Sequence, residues 1–274
     1  MDYEIQPNQQ SGSRWFAFLA ILGNIIFSYV SYMSPQSRPI NALDLEYYNL
    51  FTPANFTFSI WAVIFLSLIA YSVAQFLPSQ NYKWIYDRLA RPLIIANLIS
   101  VAWIICMQND LIALSTVLMG MLLISAIVLY SRVKRAMVND EYSRWLQVPF
   151  SLLLAWISIL LVSNVAMYLV SIGWYGNSMT ESNWTMTMIT FLFVLSILIS
   201  FVFRDWIFPI TIGWGISGVS VANRFLHADL AYFAIFISCA LLAWGLAMAI
   251  YRYGQYPKEY LRRKKLSQFK HFYN

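Results

Sequence analysis

Eight apolar runs, each close to the length of a bilayer crossing, constrain this chain more than any other feature. They lie at about 15–33, 54–77, 92–108, 111–131, 148–170, 184–203, 206–225 and 230–251. A helical span needs roughly 20 apolar residues. Inside lipid the backbone must satisfy its own hydrogen bonds, and a helix does so within one segment. Strand-like alternation over about ten residues, the mark of a barrel, is absent. The expected fold class is therefore an all-α integral membrane protein with eight transmembrane helices. Composition agrees, with 60% hydrophobic and 11% charged residues, where soluble domains carry about 25% charged. A water-solvated chain of 274 residues could not hide this much apolar surface.

The polar breaks between the runs organise the rest. Residues 1–14 read as a cytoplasmic tail, and no secretory leader is expected, because the first apolar run is long and lacks a small-residue cleavage site. Gln108-Asn109-Asp110 and Arg204-Asp205 are so short that the spans on either side must form tight hairpins. Pro53, Pro92, Pro149 and Pro209 are each read at or near a segment's start, with none in mid-span. Broken helices of the kind transporters use at the midplane are thus not signalled. With the N-terminus inside, 16 of 18 Lys and Arg residues fall on the inner side, leaving only Arg38 and Arg224 outside. That asymmetry sets the orientation and supports an even number of spans. The net charge of +6, including Arg262-Arg263-Lys264-Lys265, is then placed for lipid headgroups and not for nucleic acid. Cys106 and Cys239 lie within apolar runs, which speaks against a disulfide framework or a zinc site.

Absences narrow the function. No Lys, Asp, Glu or His lies well inside a span, and Asp110, Asp205 and Asp229 fall in turns. A Schiff-base lysine and a buried proton relay are therefore not expected. The only histidines, His227 and His271, cannot ligate haem as a pair within the bilayer. No nucleophile–base pair stands at a plausible spacing, so an enzyme is not expected. What the spans do carry is asparagine and indole. Asn97 and Trp103 share the third segment; Trp156 and Asn164, eight apart, share the fifth. Asparagine in hydrocarbon seeks a partner on a neighbouring helix, and the same side chain could orient a ligand. Six of the eleven tryptophans sit at span ends, where aromatic belts belong. Trp61, Trp103, Trp156, Trp214 and Trp244 lie deeper, where an indole needs a partner for its N–H or a cavity to face. Gly213 with Ser217, and Gly218 with Ala222, are small-residue pairs that predict close helix packing.

The stretch from Thr52-Pro53 to Phe58-Ser59-Ile60-Trp61 completes the pattern. Pro53 suits the opening of a helix, and Phe58 and Trp61 are spaced to share one face. These residues, with Asn97 and Trp103 in the third segment and Pro149, Trp156-Ile157-Ser158 and Asn164 in the fifth, resemble the tryptophan-rich sensory protein family, also called the translocator protein or peripheral benzodiazepine receptor family. The resemblance covers about residues 15–170. Ala54 stands where the family usually has a second proline, and the Phe-to-Trp step is one residue shorter.

The resemblance implies a five-helix bundle at 15–170, with three further transmembrane helices at 171–251 and a basic cytoplasmic tail at 252–274. It implies a pocket under a lid formed by the first loop, 34–52. In that reading Pro53, Phe58, Trp61, Asn97, Trp103, Trp156 and Asn164 bind an apolar or aromatic small molecule such as a porphyrin or sterol. A tetrapyrrole is the one cofactor-like ligand it suggests. A receptor or sensor is the expected function, and facilitated transport of an uncharged or amphipathic solute is the alternative. The lipid bilayer, the small-molecule ligand and a second copy of the chain are the expected partners. A bacterial plasma membrane, with both termini cytoplasmic, is the expected location.

Overall fold

The structure is a computed structural model that describes residues 12–33, 46–77, 84–139, 144–174, 176 and 178–272. Most of the expected lid, residues 34–45, and most of the N-terminal tail lie outside the described residues. The described chain is helical: α1 Gly12–Met33, α2 Ile60–Ala74, α3 Ile85–Gln108, α4 Ile112–Asn139, α5 Val148–Ser171, α6 Glu181–Phe203, α7 Ile207–Asn223 and α8 Ala228–Phe272. Two 3-10 turns, Asn55–Ser59 and Arg144–Gln147, lead into α2 and α5. Among the described residues, seven helices are long and apolar enough to cross a membrane. The remaining one, α7, has 17 residues, about 26 Å at 1.5 Å per residue. It packs against α5, α6 and α8, so neighbouring protein covers much of its surface.

The first five helices close into a ring. α1 packs on α2 and α3, α3 on α4, α4 on α5, and α5 returns to α2. From Pro149 to Leu160 every residue of α5 is buried. A helix apolar all round belongs in a protein interior, and α5 obeys, with the ring on one side and α7 on the other.

Two details at the end of the bundle expected to face inward differ from the sequence-based expectation. α3 begins at Ile85, so Pro92 lies inside the helix and not at its start. A proline here leaves the carbonyl four residues earlier without its donor. That carbonyl belongs to Arg88, and the Arg132 guanidinium of α4 donates to it in place of the missing N–H. The polar first turn of α3 is likewise paired. Arg14 is buried at the start of α1 and holds Asp87 with two contacts, 2.8 Å from Nε and 2.6 Å from Nη2.

The second difference concerns Asp205. It lies in the expected turn, yet it is 0% exposed. Its Oδ2 accepts from Tyr130 Oη of α4 at 2.7 Å and Ser151 Oγ of α5 at 2.8 Å. Its Oδ1 accepts from the backbone N–H groups of Ile207 and Phe208 at 2.9 and 3.4 Å. Lys134 Nζ stands 3.6 Å away and donates to Gln147 Oε1 and the Phe203 carbonyl. A carboxylate at the N-terminus of α7 also complements the helix dipole. This polar centre knits α4, α5, α6 and α7 at one end of the bundle. Arg252 closes the same end by donating to the Arg204 carbonyl at 2.6 Å.

Candidate functional site

Residues 46–59 form the lead-in segment to α2. Ala54 is extended (φ −59°, ψ 149°). The chain then tightens into the 3-10 turn, where Thr57 donates to the Ala54 carbonyl through both its N–H and its hydroxyl. The α-helix proper starts only at Ile60, so Pro53 precedes a turn and does not open α2. The turn nevertheless sets Phe58 and Trp61 on one side, as their spacing predicts.

Both rings meet Trp156 of α5. Phe58 and Trp156 lie edge to face at 5.7 Å, and Trp61 and Trp156 at 6.5 Å. Trp61 also stacks on Phe65 at 5.2 Å. Edge-to-face pairs of this kind contribute about 0.5–1.5 kcal/mol each beyond area burial. Trp156 is fully buried, and its Nε1–H has no hydrogen-bond partner. Beside Trp61 is a cavity of about 20 Å³, lined also by Asn24, Phe65, Asn97, Ser100 and Leu153. It is large enough for about one water molecule.

The polar residues serve two separate knots. Asn97 Oδ1 accepts from Asn24 Nδ2 of α1 at 2.9 Å, and Asn97 Nδ2 donates to the Leu93 carbonyl at 2.8 Å. Asn164 Oδ1 accepts from Trp103 Nε1 of α3 at 3.1 Å and from Ser115 Oγ of α4 at 3.4 Å. Asn164 thus ties α3, α4 and α5 together, and neither it nor Trp103 lines the cavity beside Trp61. Asn164→Ala should cost about 1–2 kcal/mol, at the upper end for interhelical bonds in membranes. Unfolding in mixed detergent–SDS micelles measures this directly.

Pro53 turns away from the ring cluster toward α7. A Cβ at Gly218 would stand 2.9 Å from Pro53 Cβ and would collide with Thr57 Cγ2. Gly213, by contrast, faces α8, with Ser238 O and Leu242 Cγ each 3.2 Å from its Cβ position. One small-residue pair therefore marks helix packing as expected, while the other marks approach to a loop. Of the remaining deep indoles, Trp214 donates to the Thr57 carbonyl at 3.0 Å and Trp244 to Ser200 Oγ at 3.0 Å.

The structure accordingly joins Phe58, Trp61 and Trp156, sets Asn97 across a small cavity from Trp61, pairs Trp103 with Asn164, and assigns Pro53 to the α7 contact. Sequence reasoning missed Asn24. A lone asparagine in the first span, four residues before Ser28, was its only signal. A second crevice, about 30 Å³, lies where Tyr48, Phe51, Trp174, Trp184 and Glu181 meet.

No curated protein and no solved structure matches the chain. The profile of one family, described as TSPO-like protein, matches residues 14–248. The match runs beyond residue 170 to within α8, so α6 and α7 also lie in the matched region. Its extent over most of the chain, together with the helical membrane fold, identifies this protein as a member of the TSPO-like protein family.

Proposed function

We propose that the protein is a membrane receptor for a flat apolar or aromatic molecule of porphyrin type, bound against Phe58, Trp61 and Trp156. The observation that carries this reading is the Trp156 indole. Its N–H is buried among rings without a partner, at a cost of about 1–3 kcal/mol, in a fold that pairs the N–H of Trp103, Trp214 and Trp244. A donor left open beside two further aromatic faces suits a ring with a polar edge. Small-molecule pockets measure about 300–1,000 Å³, whereas the cavity beside Trp61 is about 20 Å³ and neither Phe58 nor Trp156 lines it. The site as folded is closed, and binding requires the lead-in segment to lift.

Both termini are proposed to face the cytoplasm. Arg14, Arg88, Arg132, Lys134 and Arg252 are bonded around the same ends of the helices, as the positive-inside rule requires of one face.

Protoporphyrin IX titrated into the protein in lipid nanodiscs should quench indole fluorescence saturably. Trp61→Ala should weaken the apparent affinity at least tenfold. Unchanged affinity in that variant would contradict the assigned site. Protein-dependent movement of porphyrin across liposomes, if seen, would make the protein a carrier.

A further inference from the structure

The lead-in segment is bonded to α7 at three points. The Ala54 N–H donates to the Gly218 carbonyl at 3.1 Å. Trp214 Nε1 donates to the Thr57 carbonyl at 3.0 Å, and Asn223 Nδ2 to the Leu50 carbonyl at 2.8 Å. Phe56 adds an edge-to-face contact with Trp214 at 5.4 Å. Between these points the backbone of Gly218 lies directly under Pro53 and Thr57. Only a residue without a Cβ allows this approach, because Pro53 is rigid and the β-branched Thr57 is stiff at χ1.

The other sides of α7 are fixed. Ser238 Oγ donates to the Gly213 carbonyl at 2.8 Å, and Ser220 Oγ to the Ala231 carbonyl at 2.8 Å. Gly215 sits against Ile159 of α5, and Asp205 holds the start of the helix. α7 is thus held on its other sides as a post.

We propose that α7 is the latch of the aromatic site, and that the Gly218 contact sets how readily residues 50–59 lift to admit a ligand. This rests on Phe58, Trp61 and Trp156 being the ligand-facing residues. Release of the segment breaks the three bonds to α7 and carries Phe58 away from Trp156. The helices beyond the five-helix ring thereby control a site built within that ring.

The test compares Gly218→Ala, Trp214→Phe and Gly213→Ala in nanodiscs, using two readouts. The first, amide hydrogen exchange of residues 50–59 without ligand, does not depend on porphyrin. It should speed at least tenfold in Gly218→Ala and by a smaller factor in Trp214→Phe, which loses one bond but keeps a ring against Phe56. It should be unchanged in Gly213→Ala, whose added methyl presses on α8. The second readout, the rate of porphyrin quenching, should rise in the same order. Unchanged exchange in Gly218→Ala and Trp214→Phe would overturn the latch, as would equal acceleration in Gly213→Ala. Faster exchange with no porphyrin binding in any variant would support the latch and refute the ligand reading instead.

Discussion

Asp205→Ala is expected to cost about 3–5 kcal/mol, the penalty for removing one partner of a buried ionic centre. The carboxylate accepts from Tyr130, Ser151 and two backbone N–H groups, and it stands 3.6 Å from the Lys134 ammonium. Alanine would leave Tyr130, Ser151 and the two N–H groups without this acceptor at once, and Lys134 without its counter-ion though still bonded to Gln147 and Phe203. Asp205→Asn keeps an acceptor but removes the charge, and should fall between alanine and the parent. Unfolding free energy in SDS-containing mixed micelles reads the difference. A loss below about 1 kcal/mol for alanine, as found for an exposed pair, would mean that the centre is not buried as described.

Substitution of Trp156 should separate stability from binding. Trp156→Ala removes a fully buried indole and its contacts with Phe58 and Trp61, with an expected cost of about 3–5 kcal/mol. Trp156→Phe keeps most of the ring and deletes the N–H that has no partner. The smaller ring leaves a void that costs stability, but deleting the unpaired N–H offsets part of that cost, so the loss should be clearly smaller than in Trp156→Ala. If the N–H is kept for a ligand, porphyrin affinity should nevertheless fall at least tenfold in Trp156→Phe. Loss of stability without loss of affinity would make the indole a packing residue only.

How much of this was legible in the sequence follows from the range of the interactions involved. Helical class depends on local apolar runs, and among the described residues eight α-helices stand over the eight runs, seven of them long and apolar enough to cross a membrane. The meeting of Phe58, Trp61 and Trp156 was partly legible, because a spacing of three fixes a shared side. Where α3 begins was not. The apolar run begins only at residue 92, and the first turns of the helix are paired by Arg14 and Arg132, more than 40 residues distant in sequence. The burial of Asp205 was hidden for the same reason, since a two-residue turn looks solvated until Tyr130 and Ser151 close over it. Gly218 announced a close approach, but its partner was the segment at Pro53 and Thr57, far upstream in the chain, and not another helix.

The central claim is that a ligand reaches the rings behind the lead-in segment. A photoreactive aromatic probe, activated on the protein in nanodiscs and mapped by mass spectrometry, tests it most directly. Adducts concentrated on residues 56–61 and 153–160, and suppressed by excess protoporphyrin IX, are the predicted result. Adducts confined to exposed apolar positions such as Phe201 and Leu246, unaffected by the competitor, would contradict it.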